Sequence, residues 1–422
     1  MPVEVSEFSA LARRQCGVTA LCFLPDQVAS SFCNSHHVKS APHGDLCTFQ
    51  ERDTWNIPRT LKSVQKTRGL HVAAALDGLG TGATLACIAA TIGLRYGPAY
   101  IGIVGAVGVL GRLMSVFVEH RNRYSNYASR LFLAIASSFA VVFAAYLGSW
   151  QIAALVFSLF AAGNLLYGTS LIASSEGRIS QVGAFGMSGQ AAAQVLVGVA
   201  FALSRPWGLL VSCLLIALQA VSLALWHPKY ETEEIDQPSP TRAAWGSAFL
   251  PALLLALAGY GPLALAATLV ARGFGSQWMG LAMVCYAVGA LIVPAIERLR
   301  PPRTYGPLAC GVLLACSSLA WLVGTQSLVL LCASRLISGI CAFTAQSAII
   351  RTASDKNDRV ALSLCSVGLG VGAQFGALWC GPIAAVSVYA MGVSSAVASI
   401  ACGFAIRVWD RKHKESNLIR SY

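Results

Sequence analysis

Residues 96–119 read YGPAYIGIVGAVGVLGRLMSVFVE, and residues 274–297 read FGSQWMGLAMVCYAVGALIVPAIE. Each is an apolar, small-residue run that opens on an aromatic-glycine pair and closes on a glutamate. Each is long enough to cross a bilayer core, which takes roughly 20 residues of helix. They lie 178 residues apart: Tyr96-Gly97 falls on Phe274-Gly275, Tyr100 on Trp278, Gly102 on Gly280, Gly111 on Gly289 and Glu119 on Glu297. Further on, a shift of 180 sets Ala173-Ser174 on Ala353-Ser354 and Ala193-Gln194 on Ala373-Gln374. Glycine and alanine matches come cheaply in such a composition. The Glu, Gln and aromatic matches do not, so the offset predicts an internal duplication.

The rest of the chain agrees. Of 422 residues only 11% are charged and 56% are hydrophobic, with a mean hydropathy of +0.63; a soluble domain is about 25% charged. These values exclude a disordered chain, a nucleic-acid-binding domain and an ordinary soluble enzyme. From residue 69 onward twelve apolar runs can be read: 70–93, 97–118, 130–148, 151–173, 182–203, 207–227, 246–271, 276–296, 305–323, 327–350, 360–381 and 384–407. Gly381-Pro382 is expected to make the turn between the last two. The predicted fold is an all-α membrane protein of twelve transmembrane helices in two six-helix pseudo-repeats. Its parts are an N-terminal segment 1–68, a half 69–227, a polar linker 228–245, a second half 246–408 and a tail 409–422.

Lys and Arg in the loops set the orientation. Arg121, Arg123, Arg130, Arg178, Lys229, Arg242, Arg298, Arg300, Arg303, Arg351, Lys356 and Arg359 all fall on one side, and only Arg95, Arg205 and Arg272 on the other. Both termini are expected in the cytoplasm, and the formal charge of +12 reads as an orientation signal that needs no nucleic-acid partner.

Two parallel six-helix halves are the plan of the major facilitator superfamily, which the chain resembles over about residues 69–410. The stretch Ser115 to Arg123 keeps the acid, Glu119, and the basic Arg123 of that family's loop between spans 2 and 3. Ser115, His120 and Asn122 depart from it. The second copy keeps Glu297 and Arg298. The resemblance implies secondary transport by alternating access and a cavity lined mainly by spans 1, 4, 7 and 10. Glu119 and Glu297, paired acids at the cytoplasmic ends of spans 2 and 8 with Arg123 and Arg298 nearby, are expected to form a cytoplasmic gate, with topogenic charge as the alternative. Arg335 and Gly339 in span 10 echo an Arg-then-Gly pattern usual in the family's span 4. Here span 4 has Leu159 and Gly163 instead.

Ionisable residues inside a membrane are costly and need a reason. Three occur: Asp77 in span 1, Arg112 in span 2 and Arg335 in span 10. Asp77 and Arg112 are both roughly 10 Å from the cytoplasmic boundary at 1.5 Å per residue. They are expected either as a buried ion pair or as a proton-coupling pair. Arg335, near the expected midplane, reads either as an attractor of anionic cargo or as a helix-packing arginine. Asn164, Tyr167, Gln190, Gln194, Tyr260, Gln346 and Gln374 are the further candidates for the cavity wall, with interhelical bridging as their alternative.

Residues 1–68 carry Cys16, Cys22, Cys33, His36, His37, His43 and Cys47 at spacings that match no usual zinc pattern, so no metal is expected. The segment reads as a cytoplasmic tail or, preferentially, as an over-extended start. The remaining ten cysteines lie in or beside apolar runs and behave as small hydrophobes. No nucleophile–base–orienter set and no phosphate loop is present, which argues against an enzyme, a bound cofactor and ATP-driven transport. The expectation is proton-coupled efflux of a small organic molecule by a monomer in the inner membrane. Uptake of an organic anion or metallophore is one rival. A bundle that no longer transports, serving as a sensor or assembly partner, is the other.

Overall fold

The computed structural model describes residues 59–121, 127–173, 179–225, 245–299, 305–354 and 359–420, and all regular structure in them is helical. The helices are α1 (Arg59–Ile88, continued by a π turn Ala89–Gly93 and Leu94–Tyr96), α2 (Pro98–Arg121), α3 (Tyr127–Tyr146), α4 (Trp150–Ala173) and α5 (Ile179–Leu203). They go on as α6 (Arg205–Leu218, a 3₁₀ turn Gln219–Val221, then Ser222–Leu225), α7 (Leu250–Gly259, Gly261–Ala264 and Ala266–Phe274 in series) and α8 (Trp278–Leu299). The last four are α9 (Pro307–Gly324), α10 (Leu328–Ser354), α11 (Arg359–Val386) and α12 (Val388–Arg420). Among the described residues 10 helices are long and apolar enough to cross a membrane, and shorter apolar stretches occupy Arg205–Val221 and Gly246–Gly259. The chain is a multi-pass membrane protein.

Three boundaries differ from the sequence reading. α11 runs through Gly381-Pro382 to Val386, and the turn comes at Ser387, whose hydroxyl accepts from the Ala390 N–H at 3.2 Å. Proline inside a helix forfeits one hydrogen bond, which a long apolar helix tolerates in a membrane. Gly381 serves close packing instead: a Cβ there would lie 2.8 Å from the Pro98 carbonyl oxygen. Residues 59–68, placed with the N-terminal segment above, are already helical, and the tail is helical to Arg420. The expectations for residues 1–58 lie outside the described residues.

The chain caps its helices in matched pairs. Ser149 accepts from the Ile152 N–H at 3.4 Å and Ser327 from the Leu330 N–H at 3.3 Å, both N-cap bonds and both 178 residues apart. Gly97 and Gly275 hold φ of 98° and 102°, a backbone that only glycine adopts freely. Each closes its helix by an N–H bond, to Gly93 O at 3.0 Å and Ala271 O at 3.1 Å. A Cβ at Gly111 would collide with the Ser158 carbonyl, and one at Gly289 with the Leu336 carbonyl, again at an offset of 178. Such close backbone approach is how small residues drive association in lipid. On the side away from the arginine-rich loops all six turns are short. Gly97, Ser204 and Ser387 each form a turn alone, and 147–149, 275–277 and 325–327 form the others.

Neighbours in sequence are not always neighbours in space. α1 packs on α5, α6 and α3, α2 on α4 and α11, and α8 on α10 and α5, while α9 packs on α10 and α12. The 2–11 and 8–5 contacts exchange under the repeat offset. They close the ends remote from the basic loops: a Cβ at Gly102 would lie 2.6 Å from Ala377 O, and one at Gly198 would lie 2.6 Å from Ser276 O.

Candidate functional site

A cavity of about 210 Å³ opens among α1, α4, α5 and α10, near the helix ends that adjoin the basic loops. Its polar wall is Asp77 and Thr81 from α1, Asn164 from α4, Gln190 from α5, and Gln346 and Ser347 from α10. Glycines let the helices close behind it. A Cβ at Gly78 would meet the Gly186 carbonyl, and one at Gly82 would lie 2.6 Å from the Gln190 carbonyl. The apolar wall includes Leu171, Val182, Met187, Phe343 and Ile350. None of the described residues lining the cavity is basic. The Asn164 amide donates to the Thr81 hydroxyl, tying α4 to α1.

Among the described residues the side chain that hydrogen-bonds the Asp77 carboxylate is Gln219 of α6. The Gln219 Nε2 donates to the Asp77 main-chain oxygen at 3.2 Å and to Oδ1 at 3.4 Å. Sequence reasoning missed Gln219. A further intramembrane amide was there to be read, but only the packing of α6 on α1 gives it a role.

Four of the expected residues, Asp77, Asn164, Gln190 and Gln346, come together in this wall. The others do not. Among the described residues Asp77 and Arg112 form no ion pair. Arg112 lies on α2 against α11, where a Cβ at Gly370 would collide with its guanidinium, whereas Asp77 faces α5 and α6. The pairing assumed that consecutive spans pack side by side over their length, which α1 and α2 do not.

Tyr167 is fully buried and turned away from the cavity, hydrogen-bonded to Tyr127 and, at 3.1 Å, to Ser222. The Tyr260 hydroxyl donates to the Ala342 carbonyl at 3.1 Å. Gln374 packs against Gly105 and Gly108 of α2, and Gln194 is buried in α5; neither lines the cavity. Glu119, Glu297 and Arg298 fall near helix ends, but their side chains, and Arg123 altogether, lie outside the described residues.

Arg335 is 2% exposed and does not line the cavity. Its guanidinium carbon lies 5.0 Å from the ring centres of both Tyr286 in α8 and Trp321 in α9. Two ring faces of the kind that attract cations when desolvated hold it there, as expected of the packing alternative. Lysine keeps the charge but loses the flat, weakly hydrated head. Arg335→Lys is therefore expected to cost about 1 kcal/mol of stability, part of the desolvated cation–π interaction, and lower the melting temperature in detergent, with no change in the relative uptake of anionic and neutral cargo. Loss confined to anionic cargo at unchanged melting temperature would restore the cargo role.

No family model matches the chain, and no curated protein does at a significant level. Solved structures do. A mutant form of the nucleoside transporter NupG aligns at 15% identity over 81% of this chain and 99% of that one, with a TM-score of 0.59. The unmutated NupG aligns at 16% over 81% and 98%, with a TM-score of 0.53. A bacterial homologue of the human lysosomal transporter Spinster, inward-facing and unoccupied, aligns at 15% over 83% and 96%, with a TM-score of 0.54. Both are major facilitator transporters, and the fold of this chain is the major facilitator fold.

Proposed function

We propose that the protein is a proton-coupled secondary transporter of twelve spans in two six-helix halves, exporting a small organic cation across the inner membrane in exchange for protons. The observation that carries this is the cavity wall: one carboxylate, Asp77, three amides and no basic lining residue. A proton and a cationic cargo exclude one another at a single carboxylate, which makes the exchange obligatory. The apolar side of the lining, with Leu171, Val182, Met187, Phe343 and Ile350, raises the cost of leaving that carboxylate charged and unpaired, so it favours one occupant or the other at all times. At about 210 Å³ the cavity is smaller than the roughly 300–1,000 Å³ of drug-sized sites, which fits a small cargo.

The duplicated caps, glycine turns and glycine contacts support the two-halved plan, and the neighbouring transporter folds support alternating access. The orientation rests on the basic loops. With Arg335 away from the cavity, the anion and metallophore reading loses its ligand.

The test is reconstitution into liposomes with an imposed pH gradient and three probe classes: organic monocations, carboxylates, and nucleosides, the cargo named for NupG. Accumulation of monocations driven by the gradient is the expected result. Gradient-driven carboxylate movement would overturn the reading. Gradient-independent nucleoside movement alone would leave a facilitator for neutral solutes in its place.

A further inference from the structure

Gln219 is 1% exposed, and the two ends of its amide are treated differently. Nε2 donates twice to Asp77, while the buried Oε1 has no hydrogen-bond partner. Leaving an acceptor buried without a donor costs about 1–3 kcal/mol, so the orphan calls for an explanation. Its position gives one. Oε1 belongs to the same amide that already reaches the carboxyl group, and Asp77 has a donor to offer only when protonated. We propose that Gln219 is a positioning residue that serves both charge states of Asp77. Nε2 donates to the carboxylate, and Oε1 accepts from the carboxylic acid after a small rotation that keeps Nε2 on the Asp77 main-chain oxygen. The proton enters from the cavity, forms an O–H bond on Asp77 and leaves by the same route. No other bond changes. The inference rests on the reading of Asp77 as the proton site.

Two local features make the device workable. Gly80 lies one turn beyond Asp77 on α1, and a Cβ there would collide with the Gln219 amide carbon. The bare backbone is what lets the amide reach α1. Gln219 also opens the 3₁₀ turn Gln219–Val221 that interrupts α6, and such mid-helix turns often mark hinges. One turn on, Ser222 ties the same helix to Tyr167 and so to Tyr127.

The other titratable or charged groups around Asp77 are these. On α1 itself there is His71, stacked on Phe185. From α4 and α3 come Tyr167 and Tyr127, with Arg130 bonded to Ser170 at 3.0 Å. α5 has none in its described length. From α6 there are Cys213 and, at its far end, Arg205. Across the cavity α10 carries Cys332, Arg335, Cys341 and Arg351, none of which lines it. Among these described groups only Asp77 lines the cavity as an acid.

The experiment is infrared difference spectroscopy of the full-length protein in lipid, titrated with pH and no cargo. In the wild type, a carboxylic C=O band and a side-chain amide band should change together with one midpoint. Asp77→Asn should remove both, which assigns the pair. Gln219→Leu should remove the amide band, leave the carboxylic band and move its midpoint by about one pH unit, because the charged form loses the stronger hydrogen bond. Gly80→Ala leaves the chemistry of both side chains unaltered and should reproduce the midpoint change because its Cβ pushes the Gln219 amide away, which covers the case of a misfolded Gln219 variant. If Gln219→Leu and Gly80→Ala both keep the wild-type amide band and midpoint while Asp77→Asn removes the carboxylic band, the role of Gln219 is refuted and the proton site stands. A carboxylic band that survives in Asp77→Asn refutes the proton site itself.

Discussion

Asp77→Asn is expected to abolish uphill transport while leaving exchange. In an exchange of one proton for one monocation, a gradient of one pH unit is worth 1.36 kcal/mol and sustains about a tenfold accumulation of cargo. The asparagine fills nearly the same volume and still meets the Gln219 amide, so the helices α1, α5 and α6 keep their packing. It has no proton to give up, so the gradient loses its handle and the accumulation ratio falls to that of the no-gradient control. It also lacks the charge that holds a cation. A hydrogen bond to a charged group is worth about 1.5–3 kcal/mol, so the half-saturating cargo concentration should rise by roughly 10- to 150-fold. Counterflow at saturating cargo should persist. The checks are accumulation under an imposed gradient and counterflow without one, on the same preparation. A tenfold accumulation that survives the substitution sinks the assignment.

Gly102→Leu is the second large effect, and it acts on the conformational cycle. α2 and α11 meet there backbone to backbone: even a Cβ at Gly102 would lie 2.6 Å from Ala377 O. A leucine side chain must hold the two helices apart at the ends remote from the basic loops. Overpacking of this kind costs typically 1–3 kcal/mol, and here only the state in which those ends are shut bears the cost. That shifts the ratio of shut to parted ends by about 5- to 150-fold. Transport should fall by a similar factor at normal membrane abundance. A cysteine placed at Ala377 in the same background should become reactive to a membrane-impermeant reagent applied from that side. Unchanged reactivity together with unchanged transport would mean that this seam does not move in the cycle.

Much of this was legible beforehand. The apolar runs fall on the helices or on the two shorter apolar stretches, because lipid leaves the backbone no other way to satisfy its hydrogen bonds. The offset read from Gly111 and Gly289 reappears in their packing, in the Ser149 and Ser327 caps and in the φ of Gly97 and Gly275. Asp77, Asn164, Gln190 and Gln346 were found because polar atoms in a membrane need a reason.

What failed was facing. Depth along a helix is additive in residue number, but the partner at that depth is set by which helices cross, so Arg112 was given to Asp77 instead of Gly370. The sequence leaves Arg335 open between a cargo ligand and a packing arginine, because only the fold brings Tyr286 and Trp321 over it. Gln219 went unremarked because its role depends on the missing side chain of Gly80, a contact between residues 139 positions apart.

The six short turns have a practical consequence. At one to three residues each, they offer an antibody, a protease or a partner domain little chain to grip on that side. Two of the three single-residue turns are serines that cap the next helix and the third is a glycine at positive φ, so an epitope tag inserted there would unmake a helix end. Labels, fusions and fiducials for imaging belong on the opposite side, in the longer connections.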